Sequence, residues 1–143
     1  MRGGIAIVTL TLAACGAGSG EGLDQNGQPL TGGGGGLAPT LASIQANVFN
    51  VNCAVSGCHG GAGAQQGLRL DPGFSAGNLI NVHSPQNSNL IRVVPGDPDA
   101  SFLIQKLQGA DGLLGERMPA GRPPLATATI NVIRKWIEDG APQ

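Results

Sequence analysis

The stretch Cys53–His59 reads CAVSGCH and places two thiols and an imidazole within seven residues. Four residues separate Cys53 from Cys58, and His59 follows the second thiol directly. Thiol and imidazole groups are common ligands of metals and metal-containing cofactors, so this stretch is the starting point for interpreting the chain. Gly57 supplies backbone freedom between the thiols, because glycine adopts conformations that other residues avoid.

Four interpretations of this stretch stay open on its residues alone. Two cysteines followed directly by histidine form the order of a c-type haem attachment site, where the thiols bind the haem and the histidine ligates iron. The usual gap between those cysteines is two residues, so the gap of four requires the loop to bulge. The two cysteines could instead form a small disulfide, bind zinc, or stay as free buried thiols.

Composition limits the class of partner and the size of the core. The chain has 143 residues, a net charge of -1 and no run of basic residues, which argues against a nucleic-acid partner. The chain has few aromatic side chains with which to fill a core, so a buried flat apolar cofactor would help to fill it. The aromatic residues are Phe49, Phe74, Phe102 and Trp136.

The segment 1–14 has the features of an export signal. Arg2 gives it a positive start, and the apolar run 5–12 is too short to span a bilayer. The small residues before Cys15 resemble the lipobox of bacterial lipoproteins, in which the cysteine is lipidated. We therefore predict a lipoprotein signal peptide over 1–14 and lipidation of Cys15; an ordinary cleavable signal peptide or a buried strand are the alternatives. The predicted location is the bacterial cell envelope, on its periplasmic or cell-surface side, with the lipid on Cys15 as the membrane anchor.

The cysteine count agrees with export. Three cysteines is an odd number for an exported chain, and lipidation of Cys15 leaves Cys53 and Cys58 as a pair. Residues 15–38 are rich in glycine and polar residues and have no hydrophobic period, so they are predicted to form a flexible tether. One globular domain is then predicted over 39–143.

The globular segment predicts a mostly α domain with three or four short helices joined by long loops. Thr40 and Asp97 are good helix caps, and Pro98 suits a first helical position. Gly109 and Gly140 stand where helices are expected to end. The predicted elements are a helix capped by Thr40 that runs into Cys53, a brief helix over 76–82 capped by Ser75, a helix from Asp97 to Gly109, a helix over about 127–138, and short extended runs over 67–72 and 90–94.

A haem held by His59 has a second axial position, for which the chain offers two candidates. Met118 is the only methionine left once the signal is removed, and it lies in a loop among arginine, proline and glycine. The following Pro119 favours extended backbone at Met118, which suits a ligand that projects from a loop. We predict Met118 as the ligand, with a role as core filler as its alternative, and interpret His83 as a solvated surface residue.

The order of the motifs resembles that of a known family. After the short helix and the cysteine motif come Gly67–Asp71, Pro95–Ser101, Arg117–Pro119 and finally Ile133–Pro142. Over residues 41–142 this ordered set resembles the mono-haem cytochrome c domains of bacterial envelope proteins, in particular the planctomycete-like cytochrome c type. The gap of four residues between Cys53 and Cys58 departs from the pattern of that family.

The resemblance implies a small class-I-like cytochrome c fold with helices and long loops wrapped around one haem. By position, Cys53 and Cys58 would hold haem c covalently, while His59 and Met118 would be the axial ligands of its iron. Iron with two protein ligands carries single electrons and binds no substrate, so the implied activity is electron transfer to redox partner proteins of the envelope rather than catalysis. The alternatives are a haem peroxidase-like module and a disulfide- or zinc-stapled surface lipoprotein that acts as a binding module.

Overall fold

The structure is a computed structural model that describes residues 36–143. The predicted signal peptide, the predicted lipidation site Cys15 and most of the predicted tether lie outside the described residues. Within the described part, Leu37 already packs against the hydrophobic core, and the Ala38 amide donates to the Ser43 hydroxyl at 3.0 Å. No helix between residues 36 and 143 combines the length and the hydropathy needed to cross a membrane.

The described chain contains four α-helices, a π-helix, a short 3-10 turn and one two-stranded antiparallel sheet. The two strands pair with His83 opposite Ile91 and Ser84 opposite Asn87. The elements are α1 (Leu41–Ile44), the π-helix (Gln45–Cys53), the 3-10 turn (Gln65–Gly67), α2 (Ser75–Leu79), β1 (His83–Ser84), β2 (Asn87–Ile91), α3 (Phe102–Gln108) and α4 (Thr127–Glu138).

The predicted first helix is confirmed, but most of it is wound as a π-helix. Its cap is the predicted one, since the Thr40 hydroxyl accepts a hydrogen bond from the Ser43 amide at 3.3 Å. At the other end, the Ala54 amide donates to the Phe49 carbonyl, five residues earlier, at 2.7 Å. That spacing is the mark of a π-helix, which is rare and often found at functional sites. The wider turn carries the chain into the cysteine motif.

The last helix is confirmed at its predicted bounds. α4 is strongly amphipathic, and its apolar face is buried in the core. Trp136 is 0 % exposed, and its indole Nε1 donates to the Pro142 carbonyl at 2.9 Å, which holds the chain after the helix. The end of α3 also agrees with the prediction, because Gly109 has φ of +68°, in the left-handed region that glycine tolerates.

The predicted start of α3 at Asp97 is wrong, since the helix begins at Phe102. The Asp97 carboxylate caps a turn instead, accepting a hydrogen bond from the Ala100 amide at 2.9 Å. The Ser101 hydroxyl donates to the Asp97 carbonyl at 2.8 Å and accepts from the Val94 amide at 2.9 Å. These bonds hold Ser101 extended, at φ of −82° and ψ of 116°, so helical winding starts only after it.

The predicted helix over 76–82 also differs from the structure. α2 is shorter, and Ser75 is its first residue rather than its cap. It ends at Leu79 because Ile80 is extended, at φ of −76° and ψ of 120°, and forms an isolated parallel bridge with Val93. Tertiary pairing has therefore replaced the last turn of the expected helix.

The extended runs are only partly strands. β2 overlaps the predicted run over 90–94 but lies earlier in the chain, and its partner β1 falls in a segment for which we predicted no strand. The predicted run over 67–72 pairs with no strand in the part of the chain that the structure describes.

One hydrophobic cluster joins these elements. It gathers side chains from the π-helix, α2, α3 and α4 and includes the fully buried Trp136. Three of its members, Leu70, Leu79 and Leu107, also form part of the wall of a cleft. The cleft and the core therefore share side chains. The buried members are Ile44, Val48, Phe49, Leu70, Leu79, Val93, Ile104, Leu107, Ile130, Ile133, Trp136, Ile137 and Ala141.

Candidate functional site

A cleft opens between the end of the π-helix, α3 and the loop that carries Met118. The cleft has a volume of about 240 Å³. Pockets for small molecules and cofactors are mostly apolar and typically measure roughly 300–1,000 Å³, so this cleft has the lining of such a pocket but a smaller volume. Its apolar wall consists of Leu68, Leu70, Leu79, Phe102, Leu103 and Leu107.

A second cavity of about 170 Å³ adjoins the cleft. Cys53, His59 and Met118 line both spaces, and Cys58 lines the second. The structure therefore brings together the four residues that the sequence singles out, although Met118 lies far along the chain from the other three.

The thiols lie at the two ends of a bulged loop. Cys53 is the last residue of the π-helix and is half-buried, while Cys58 is exposed, and both thiols are free. The Cys58 amide donates to the Val55 carbonyl at 3.0 Å, which closes a turn. Gly57 has φ of +80° in that turn, the backbone freedom that the sequence predicts for it.

At Gly60 the backbone packs closely against the backbone of Ala54. A Cβ at this position would lie 2.6 Å from the Ala54 carbonyl oxygen, so a side chain there would push the segments apart. Just before it, the His59 amide donates to the Cys53 carbonyl at 3.1 Å. The sequence carries no sign of this contact.

The backbone carbonyl of Leu68 orients the ring of His59. Its Nδ1 lies 3.1 Å from the Leu68 carbonyl oxygen, and because a carbonyl can only accept, Nδ1 carries the proton. The lone pair of a neutral His59 is therefore on Nε2. Burial holds the pKa of His59 below its usual value, and the charges of Arg92 and Lys106 lower it further, although the hydrogen bonds of the ring to backbone at Leu68 and Gln65 oppose the shift. The neutral form, which is the form that ligates metal, is favoured.

The segment after His59 is fixed to the π-helix by Gln45. Its Nε2 donates to the Leu70 carbonyl at 2.8 Å, and its Oε1 accepts from the Ser75 hydroxyl at 2.5 Å. The Leu70 amide donates to the His59 carbonyl at 2.8 Å. These bonds tie the histidine, the π-helix and α2 into one frame.

The loop that carries Met118 is held by the last turn of α3. The Met118 amide donates to the Lys106 carbonyl at 2.9 Å. The buried Lys106 ammonium donates to the carbonyls of Leu114 and Glu116, at 2.6 and 3.1 Å. A single lysine therefore fixes the loop at three points, and sequence reasoning did not single it out.

His83, the other predicted candidate for the second ligand, lies elsewhere. It is exposed in β1, its Nδ1 is 2.6 Å from the Ser88 carbonyl oxygen, and it lines neither cavity. Across residues 36–143, no three His, Cys, Asp or Glu side chains come together as a group that could hold a metal ion.

Arg92 is a further residue of the cleft that sequence reasoning missed. It is 7 % exposed, lines the cleft, and donates to the carbonyls of Asn78 and Gln66, at 2.8 and 2.7 Å. The one sign of it in the sequence is its position at the centre of the apolar run Leu90–Val94. If that run is buried, the arginine is buried with it and needs hydrogen-bond partners.

The two thiols are expected to differ in reactivity. Burial, and then the neighbouring Cys58, raise the pKa of Cys53 from 9.0 to about 11, although Arg122 opposes the shift. Because this pKa is higher by about two, the fraction of Cys53 present as thiolate at pH 8 is about a hundredfold smaller than for an ordinary thiol. A more basic thiolate is also a stronger nucleophile, which restores about tenfold of the lost reaction rate. In folded chain without cofactor, iodoacetamide should therefore modify Cys53 at least about tenfold more slowly than in urea, with a rate that climbs up to pH 11.

Peptide mass mapping measures both rates, and the exposed Cys58 is the internal control. Equal rates for Cys53 in folded and urea-unfolded chain would contradict the placement of this thiol at the base of the loop.

Comparisons of the chain with models of protein families, with curated proteins and with solved structures found no match. The assignment of a function therefore rests on the cleft itself. Its decisive features are a largely apolar wall, an imidazole with a free Nε2, a thioether and two free thiols at one place.

Proposed function

We propose that residues 39–143 are a mono-haem c-type cytochrome of class-I-like fold that carries single electrons in the bacterial cell envelope. The observation that carries the proposal is that Cys53, His59 and Met118 line one apolar cleft, with Cys58 at the adjoining cavity. The order of the motif Cys53–His59 supports the same function, because a histidine directly after the second cysteine is the arrangement of a haem attachment site.

The residues of the cleft fit a haem in their chemistry. Cys53 and Cys58 would hold it by thioether bonds, and the Nε2 of His59 and the sulfur of Met118 would ligate the iron. When bound, haem supplies a one-electron couple between ferrous and ferric iron. Methionine as an axial ligand raises the potential of that couple relative to a second histidine.

The remaining residues control the surroundings of the site. The leucines and Phe102 make the wall of the cleft apolar, and an apolar environment strengthens electrostatic interactions. The Leu68 carbonyl holds the proton of His59 on Nδ1 and so keeps Nε2 free for a ligand bond. Lys106 holds the loop of Met118 against α3. Hydrogen bonds thus hold the ring of His59 and the backbone of the Met118 loop without a cofactor.

Covalent haem is the direct test of this proposal. Protein made with the haem maturation machinery should show a Soret band, and on denaturing gels it should keep haem that stains for peroxidase activity. Haem held by thioether bonds survives denaturation, so acid-acetone extraction should leave it on the chain. The Cys53→Ala, Cys58→Ala double variant is the matched control and should lose all stain. Complete extraction of haem from the parent protein would rule out thioether attachment, and the absence of a Soret band would reject the cytochrome proposal.

We further propose that the cytochrome is anchored by lipid on Cys15 and exchanges electrons with partner proteins of the envelope. The lipobox-like residues before Cys15 support the anchor. The Cys15→Ser variant should therefore move from the membrane fraction to the soluble fraction, with an unchanged haem spectrum. Fractionation followed by haem staining measures both properties. A Cys15→Ser variant that stays in the membrane fraction would contradict lipidation at this residue.

A further inference from the structure

Arg92 has more hydrogen-bond donors than the residues between 36 and 143 use. The guanidinium offers five N–H groups, and only two of them bond to described residues, at the carbonyls of Asn78 and Gln66. The side chain is 93 % buried, being 7 % exposed, so water has little access to the other donors. Since Arg92 lines the cleft, a molecule in the cleft is placed to receive them.

The charge of Arg92 is also without a counter-ion within residues 36–143. The ion pairs in that part of the chain involve Arg69, Arg134 and Lys135, all of them outside the cleft. None of the residues that line either cavity is Asp or Glu, although nine acidic residues occur in the chain. The other two cations of these walls are Lys106 and Arg122, so the walls carry only positive charge.

Burying a cation without a counter-ion is strongly unfavourable, and the free-energy cost rises further when water is removed from around the charge. Burial accordingly lowers the pKa of Arg92. The arrangement becomes favourable when the bound molecule supplies the anion, because arginine binds carboxylates with charge-assisted hydrogen bonds. The occupant that fits this cleft is a flat apolar molecule that carries carboxylate groups.

We propose that Arg92 binds a propionate carboxylate of the haem, as the cleft's anion-binding residue. The inference rests on the proposed function, since haem is the occupant that supplies both the apolar ring and the carboxylates. Lys106 has a different role, because its ammonium already donates to the Leu114 and Glu116 carbonyls.

The test compares haem-loaded Arg92→Gln and Arg92→Lys with the parent protein. The haem carries ¹³C at its propionate carboxylates, and the readouts are redox-induced infrared difference spectra and resonance Raman spectra. In Arg92→Gln the carboxylate stretch and the propionate bending band should shift, and the midpoint potential should fall by about 59 mV, equivalent to about a tenfold change in the ratio of the two oxidation states. The potential falls because a positive charge that disfavours ferric iron is removed. Arg92→Lys should retain most of the potential but still shift the propionate bands, since lysine lacks the planar fork.

Arg69→Gln is the matched control, because Arg69 is paired with Asp71 at 2.6 Å and lies outside both cavities, so its removal should leave the propionate bands unchanged. If Arg92→Gln does not accumulate as folded protein, Arg92→Lys alone decides the question through the same bands. Covalent haem with unchanged propionate bands in the Arg92 variants would overturn the carboxylate site while leaving the cytochrome intact. A parent protein that takes up no haem would overturn both proposals.

Discussion

Replacing Met118 by alanine is expected to open the iron site of the haem-loaded protein. Met118 lines both cavities together with His59, and alanine offers no sulfur to the iron. The ferric form should lose its sulfur-to-iron charge-transfer band and become high-spin or bind water, and the ferrous form should begin to bind carbon monoxide. The midpoint potential should fall by roughly 0.1 V or more, within the range of about 0.8 V that axial ligands span.

Two further variants make the result specific. Met118→His should keep six-coordinate low-spin iron at a lower potential, because imidazole stabilises ferric iron more than a thioether does. His83→Ala should leave the spectrum unchanged, because His83 is exposed and lines neither cavity. The assignment of Met118 is wrong if Met118→Ala keeps the parent spectrum while His83→Ala opens the iron. The protein would then be a cytochrome with two histidine ligands, and Met118 would be a packing residue.

Replacing Trp136 by alanine is expected to lower the free energy of unfolding by about 3–5 kcal/mol. The side chain is 0 % exposed and belongs to the hydrophobic cluster, so its loss leaves a large cavity. It also removes the donor that satisfies the Pro142 carbonyl. A domain of this size typically has roughly 5–15 kcal/mol of stability, so the variant loses a large share of it. The melting temperature should fall by at least about 12 °C, at about 4 °C or more per kcal/mol.

Circular dichroism during thermal and denaturant unfolding measures the effect, with the haem content held constant. Trp136→Phe keeps much of the volume but loses the indole N–H, so it separates packing from the hydrogen bond and should cost less. Val51→Ala is the surface control, because Val51 is 58 % exposed, and it should change stability by no more than about 0.5 kcal/mol. A Trp136→Ala variant that melts within a few degrees of the parent would show that the stability of the domain does not depend on this side chain.

The sequence predicted the elements whose signals are local. α4 follows from one apolar face and a terminal glycine, and the cap at Thr40 lies within three residues of its partner amide. The start of α3 could not be placed in this way, because Ser101 is held extended by bonds to Val94 and Asp97. The π winding of Gln45–Cys53 is equally hidden, because no local signal in the sequence distinguishes it from an α-helix.

The residues of the candidate site also divide into those that the sequence alone identifies and those that it does not. Cys53, His59 and Met118 could be named from their chemistry, and the structure places them along one cleft, while their role as haem ligands stays a prediction. Arg92 and Lys106 could not be named, because an arginine or a lysine in a sequence is read first as a surface charge. Their burial results from tertiary contacts with backbone carbonyls of distant segments.

Trp136 also gives the domain an optical reporter of its own. It is the only tryptophan of the chain, so all indole fluorescence comes from one fully buried position. It shares a hydrophobic cluster with Leu70 and Leu107, which line the cleft, so a haem there would lie within energy-transfer range and quench the emission. Chain without cofactor should emit brightly at short wavelength, and loaded chain should be dark. Emission that appears at long wavelength then marks unfolding, because the indole has entered water at a distance from the quencher.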